Sequence, residues 1–312
     1  MIEFKDVHAS YEGSLPILRG VSFTVADGEF VAFVGTNGAG KSTTMRLVNG
    51  LLKPSAGSVL VDGVPTTELC TSELARRVGF LFQNPDSQIC CNTVREELLF
   101  GFRALGQDGP EAEGRVDALM DEFGFDPDDD PFLLNRGARQ LLALASIVVL
   151  APPVVVLDEP TTGLDFRECE KVMGVIRRLH EGGTTVIMVC HDMEVVADYA
   201  ERCIVMSDGA VVDDGPVFDV LRNRATMERA SLEPPQIVSV TLALVEATPQ
   251  LAGTAVARAN DVEEMTAAVA EAAQGERPKL FDARDEKPEP IDAQSERAAA
   301  SGAALFEEGG SR

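Results

Sequence analysis

The sequence predicts an α/β fold built on buried strands and a phosphate-binding loop. Two observations carry that reading. Phe30-Val31-Ala32-Phe33-Val34, Val154-Val155-Val156-Leu157 and Thr184–Val189 are short, unbroken apolar runs rich in β-branched residues, the composition of strands covered on both faces. The first run leads directly into Gly35-Thr36-Asn37-Gly38-Ala39-Gly40-Lys41-Ser42-Thr43 and then Met45-Arg46-Leu47-Val48, the strand, glycine loop and helix order that a phosphate-binding loop requires.

The residue types of that loop follow from its chemistry. A triphosphate needs several N–H donors close together, and glycine lets the backbone curl around it without a Cβ in the way. The following helix directs its N-terminal N–H groups and positive dipole end at the same anion. Lys41 reaches the terminal phosphates, and the Ser42 hydroxyl is placed to ligate Mg²⁺. A dinucleotide fingerprint fits poorly, because its third glycine position is occupied by Thr43.

Composition sets the outer limits. A chain of 312 residues, 45% apolar, holds one large or two modest domains with a full core. It carries 51 acidic against 27 basic residues, a net charge of -24, and only six of the basic residues are lysines. Such a charge repels nucleic acid and anionic lipid alike. A dispersed acidic, lysine-poor surface also resembles that of proteins from a high-salt, halophilic cytoplasm, where salt screens self-repulsion. The cysteines at 70, 90, 91, 169, 190 and 203 show no metal-ligand spacing, and adjacent Cys90-Cys91 is a poor disulfide. They are expected to be reduced, small apolar residues of a cytosolic chain. Met1–Asp6 does not read as a signal peptide. The longest apolar stretch, 141–157, is interrupted by Pro152-Pro153 and falls short of the ~20 residues of a membrane span. A soluble chain that docks on a membrane protein is the expectation.

Along the chain, residues 1–30 alternate apolar and polar side chains between turn residues Gly13, Gly20 and Gly28, as an antiparallel sheet does. Tyr11 lies there; read alone it is first a packing residue, although a tyrosine beside a nucleotide site can stack on adenine. Residues 44–82 predict a helix, a strand over 57–61, a turn at Asp62-Gly63, a helix over 72–77 and a strand over 78–82. The last of these ends at Gln83, where ligands bind in such sheets. Residues 93–150 read as helical. The ten acidic side chains between Gln107 and Pro131 read as a solvated face. Asp158-Glu159 closes a buried strand: the first carboxylate suits Mg²⁺, the second suits a water aimed at a γ-phosphate. His191 closes another strand on the same side, whereas His8 and His180 read as structural. A hairpin turning at Asp208-Gly209 and further helices to 273 follow. From Glu276 onward the composition predicts disorder.

These residues together resemble the ATP-binding cassette (ABC) ATPases over about residues 1–225. The phosphate loop at 35–43, Gln83 in the Q-loop position, Leu134-Asn135-Arg136-Gly137-Ala138 in the signature position, Asp158-Glu159, Gly163-Leu164-Asp165 in the D-loop position and His191 in the switch position occur in the family's order. Tyr11 falls where the family's adenine-stacking aromatic lies. The resemblance implies a P-loop NTPase (RecA-like) core, an N-terminal antiparallel β subdomain, an α-helical subdomain over about 84–150 carrying the signature, a C-terminal helical extension over 226–275 and a tail over 276–312. It also implies ATP and Mg²⁺ as ligands. Each ATP would lie between one subunit's loop and the other's Asn135-Arg136-Gly137 and Asp165. Glu159 would be general base, His191 would contact the γ-phosphate, and Ser42, Asp158 and Gln83 would serve the metal.

Phe82-Gln83-Asn84-Pro85-Asp86-Ser87-Gln88 and Leu232-Glu233-Pro234-Pro235-Gln236-Ile237 look like segments of the ATPases of energy-coupling factor (ECF) transporters, importers of vitamins, cobalt and nickel. That implies a second ATPase subunit as partner, in a hetero- or homodimer, together with a membrane coupling protein and a membrane substrate-binding subunit, with this chain peripheral at the cytoplasmic face of the cell membrane. An uptake system of another ABC class, a soluble ABC ATPase of DNA maintenance and a P-loop kinase are the alternatives. The short spacing between loop and carboxylates and the acidic charge disfavour the DNA reading. The signature departs from the usual Leu-Ser-Gly-Gly-Gln at Asn135, Arg136 and Ala138.

Overall fold

The computed structural model describes residues 1–11 and 15–275. The expected turn at Gly13 and the expected disorder of 276–312 lie outside the described residues. Two compact units divide the chain, Met1–Met265 and Thr266–Arg312. Residues 266–275, the only described part of the second, are helical.

In chain order the elements are β1 (Ile2–Ala9), β2 (Leu18–Val25), β3 (Phe30–Val34), α1 (Lys41–Val48), β4 (Ala56–Val61), β5 (Val64–Pro65), α2 (Thr71–Ala75), β6 (Val78–Leu81), α3 (Val94–Leu105), α4 (Pro110–Phe123), α5 (Arg136–Val148), β7 (Val154–Asp158), α6 (Phe166–Glu181), β8 (Thr185–Val189), α7 (Met193–Tyr199), β9 (Arg202–Ser207), β10 (Ala210–Pro216), α8 (Val217–Arg222), α9 (Arg224–Arg229), α10 (Gln236–Ala247) and α11 (Val262–Gly275).

The unbroken apolar runs are explained by what lies on each face. The six-stranded sheet runs β10-β9-β3-β8-β7-β6. Strands β9, β3, β8, β7 and β6 are parallel, and β10 pairs antiparallel at the edge. Successive side chains of a strand point to opposite faces. Phe30, Ala32 and Val34 enter one core with Val155, Leu157, Val186 and Met188, whereas Val31 and Phe33 enter a second core with Val154, Val156, Ile187 and Val189. The first core is closed by α3, α4, α5 and α6, and the second by β1, β2, β4 and α1.

The smaller sheet, β2-β1-β4-β5, is antiparallel. Gly20 sits within β2 rather than at a turn. Its φ of +76° faces an irregular stretch of β1 where Asp6 has φ +47°. Gly57 allows a still closer approach: at φ +77°, a Cβ there would lie 2.1 Å from Asp6 O and 2.5 Å from Lys5 O. Gly57→Ala is therefore expected to destabilise the fold by at least ~2 kcal/mol, read as a lower urea midpoint. An unchanged midpoint would show that the two strands separate without cost.

The acidic segment behaves as a solvated face: all ten acidic residues from Asp108 to Asp130 are exposed. Its inner side inserts Ala112, Val116 and Met120 into the first core. No helix among the described residues is long and apolar enough to cross a membrane.

Candidate functional site

Sheet order decides which loops meet. Strands β3, β8, β7 and β6 are neighbours and parallel, so their carboxyl ends open on one edge. The phosphate loop leaves β3, Cys190-His191 leaves β8, Asp158-Glu159 ends β7 and Gln83 follows β6. Asp158 is level with Val189, and Phe33 is level with Val189 on the other side. Four widely separated parts of the chain thereby share one edge, where ligands of open α/β sheets bind.

Within the loop, Gly35, Gly38 and Gly40 have φ of +139°, +83° and +100°. Gly35 is fixed by packing, because a Cβ there would lie 2.0 Å from Met206 O of β9. At Gly38 a Cβ would meet nothing within 4 Å. The space it leaves opens into a cavity of about 360 Å³ lined by Ile17, Asn37, Gly38, Gly40, Lys41, Ser42, Thr43, Glu159 and His191. Lys41, 5% exposed, donates to Gly35 O at 2.6 Å and Thr36 O at 3.0 Å. Ala39 N donates to Thr36 O at 3.2 Å, which closes the curl.

Electrostatically the cavity floor holds one cation and one anion that burial opposes. Burial pulls the Lys41 ammonium below the usual lysine range, while the Glu159 and Asp158 carboxylates act in the opposite sense. Burial likewise pushes the Asp158 carboxyl above the usual range, against a hydrogen bond from Ser42. Ser42 Oγ donates to Asp158 Oδ1 at 3.1 Å. A buried ammonium beside open space suits polyphosphate, and a hydroxyl paired with a buried carboxylate suits a hard divalent cation. ATP and Mg²⁺ therefore fit the residues present.

Glu159 is the hub. Its backbone lies at φ +52°, a conformation costing ~1–2 kcal/mol for a residue with a Cβ. Its N–H is held by Val189 O at 3.0 Å. One carboxylate oxygen accepts from Gln83 Nε2 at 2.7 Å and Thr162 Oγ1 at 3.0 Å; the other lies 2.7 Å from His191 Nε2. Gln83 is thus engaged with Glu159, not with the Ser42–Asp158 pair. Glu159 and His191 also line a second cavity of about 740 Å³, bounded on its far side by Ser231–Gln236. Gln236 N donates to Glu194 Oε1 at 2.7 Å, tying that segment to α7.

The remaining sequence candidates lie elsewhere. Tyr11 is half-exposed, and its hydroxyl accepts from Arg46 Nη1 at 2.9 Å; Ile17, not Tyr11, lines the nucleotide cavity. Asn135 caps α5, its Oδ1 accepting Ala138 N at 2.7 Å. Arg136 Nη2 donates to Thr162 O at 2.9 Å. Gly137 is pressed by Glu168, whose Oε1 would lie 2.1 Å from a Cβ. Asp165 caps α6, accepting Glu168 N at 2.9 Å. These four residues form a patch around the start of α5 and α6, outside the cavity. Sequence reasoning missed Ile17, Thr162 and Arg46, which carry no motif of their own.

A family model described as ABC transporter matches residues 18–162. The energy-coupling factor transporter ATP-binding protein EcfA of Methanothermobacter thermautotrophicus is 38% identical over 240 residues, 76% of this chain and 77% of that protein. The chain belongs to the ABC transporter ATP-binding family. A relative from Caldanaerobacter subterraneus, described only as an ABC transporter ATP-binding protein, is 43% identical over 244 residues. That alignment covers 77% of this chain, but the chain spans just 43% of that relative's length. Among solved structures, cbiO1 from Clostridium perfringens, part of the ABC transporter complex cbiONQ, superposes with a TM-score of 0.64 at 28% identity. It covers 80% of this chain and 96% of its own. The fold is thus that of an ABC ATPase, a P-loop core carrying a β subdomain and a helical layer, and the family's activity is ATP hydrolysis. Family membership removes the P-loop kinase alternative.

Proposed function

We propose that this chain is the ATPase subunit of an ECF-type importer. It pairs with a second ABC ATPase, hydrolyses MgATP at the shared interface, and drives uptake of a vitamin or transition-metal ion through a membrane coupling protein and a membrane substrate-binding subunit. It sits peripherally at the cytoplasmic face. Residues 1–225 form the ATPase domain, with its helical part over about 84–150, and 226–275 the extension. The observation that carries the catalytic reading is the convergence of Gln83, Thr162 and His191 on the Glu159 carboxylate at the mouth of the phosphate-loop cavity. The ECF assignment is supported by the EcfA relative, by cbiO1, and by the segment 232–236, which lines the cavity next to Glu159.

The roles follow from position. The loop amides, Lys41 and Thr43 receive phosphate; Tyr11, which does not line the cavity, is assigned to adenine by the family resemblance alone. Ser42 and Asp158 would hold Mg²⁺, joined by Gln83 only when it leaves Glu159, and the ion would supply neutralisation of phosphate charge. Glu159 takes a proton from the attacking water. His191, 2.7 Å from Glu159, holds that carboxylate and faces the γ-phosphate. Copurification of the tagged chain with a membrane coupling protein from its own cells tests the assignment. Recovery with a permease pair of another ABC class would overturn the ECF reading while leaving the ATPase reading intact.

The patch at Asn135, Arg136, Gly137 and Asp165 serves the opposite ATP. Asn135 already supplies the helix cap that serine would supply, so the functional departure rests on Arg136, where a long side chain stands in place of glycine. The two composite sites are therefore unequal. In the reconstituted transporter, Arg136→Gly is expected to raise turnover at the site that borrows this chain's signature, with Asn135→Ser adding little. Glu159→Gln and the same change in the partner should cost different amounts. Equal losses, or a fully active homodimer of this chain alone, would remove the asymmetry.

A further inference from the structure

The loop leaving β6 for α3 gathers two thiols and a carboxylate that share no residue with the nucleotide cavity. Cys90 is exposed and Cys91 half-buried, while Glu97, on α3, is 3% exposed. Glu97 Oε2 accepts the backbone N–H of both Cys90 and Cys91 at 2.9 Å each. Those two bonds hold the cysteine pair over the carboxylate. One ligand atom from each of the three residues lies within 4.8 Å of the other two.

We propose that Cys90, Cys91 and Glu97 form a binding site for a thiophilic divalent transition-metal ion of the Zn²⁺ class, with a fourth position open to water. The sequence spacing concealed it. Adjacent cysteines do not match a Cys-x-x-Cys ligand pair, and the third ligand arrives from the first two turns of a helix.

The donor set matches the ion. Two thiolates discriminate against Mg²⁺ and Ca²⁺, and a carboxylate completes sites of borderline ions. A carboxylate has about four lone-pair positions; two amides use one oxygen of Glu97, which leaves the other for a metal. Tetrahedral bonds to sulfur and oxygen place ligand atoms about 3.5–3.8 Å apart, so a contraction of at most about an ångström closes the site.

The position gives occupancy a consequence. Glu97 also lines a groove of about 290 Å³ between β6 and the helices, together with Gln88, Phe82 and Phe100. An ion at the cluster would pin the start of α3 to the loop that begins at Gln83, and so would stiffen one wall of that groove.

Co²⁺ titrated into the reduced, nucleotide-free full-length chain is the test. Thiolate-to-cobalt charge-transfer absorption is expected to saturate at one equivalent and to be bleached by Zn²⁺. Cys90→Ala and Cys91→Ala are each expected to lose it, while Cys70→Ala and Cys169→Ala keep it. Because Cys90 is exposed, its alanine variant should retain the wild-type circular dichroism spectrum, which separates loss of the site from loss of the fold. Absence of charge-transfer absorption in the wild type, or its survival in both Cys90→Ala and Cys91→Ala, overturns the proposal.

Discussion

Glu159→Gln retains ATP binding and loses roughly 10²- to 10⁴-fold in hydrolytic turnover, the usual contribution of a general base. The amide occupies the same volume and its oxygen can still accept from Thr162 and Gln83, so the hub keeps its packing. What it cannot do is take a proton from water. Binding is insulated because the phosphate contacts proposed for the 35–43 loop, Lys41 included, involve no donor to Glu159. Single-turnover hydrolysis beside equilibrium binding of labelled ATP separates the two effects. Turnover at the wild-type level would remove Glu159 from the chemistry; a parallel loss of binding would make it a structural residue of the cavity.

Lys41→Ala acts on the other half of the cycle. The ammonium is buried among the loop carbonyls of Gly35 and Thr36, and its charge is what the cavity offers to polyphosphate. A charge-assisted hydrogen bond contributes ~1.5–3 kcal/mol, and 1.4 kcal/mol is tenfold in an equilibrium constant. ATP affinity is therefore expected to fall about 10- to 100-fold by titration calorimetry. The chain stays folded, since burying that ammonium already opposes folding. A folded variant with wild-type affinity would mean that the backbone amides bind the phosphates unaided.

The parts of this molecule that were legible in its sequence are those whose physics is local. The β3–loop–α1 unit declares itself because glycine positions, an apolar run and a helix start are contiguous. The strand ending in Asp158-Glu159 does so because its burial shows in composition. That Gln83, Thr162 and His191 reach one carboxylate does not follow from any local pattern. It follows from the strand order β3-β8-β7-β6, which spacing along the chain does not encode. Gln83 and His191 were marked by their place at strand carboxyl ends, and the family resemblance supplied only their roles. Thr162 escaped because a threonine after a proline turn has no distinguishing neighbours. Tyr11 was read for its ring, yet the structure first shows its hydroxyl bound to Arg46, a partner 35 positions away. Glu97 was submerged in a segment whose other acids face solvent, and only its burial sets it apart.

Thr162 uses all three of its polar groups, its N–H donating to Glu159 O at 3.3 Å. Its hydroxyl goes to Glu159, and its carbonyl is taken by Arg136. The turn over 161–164 is thereby the coupler of a two-arm linkage, with a left-handed Glu159 at one end and the first residue of α5 at the other. Torsion released at Glu159 has two exits: one of these bonds gives way, or the amino end of α5 is dragged along. In the paired assembly proposed above, that helix end would address the neighbour's nucleotide. Whether a chain has spent its own ATP would then be felt across the interface as a mechanical displacement, delivered through one guanidinium. Glycine at 136 would cut that arm and leave the neighbour's site deaf to this chain's.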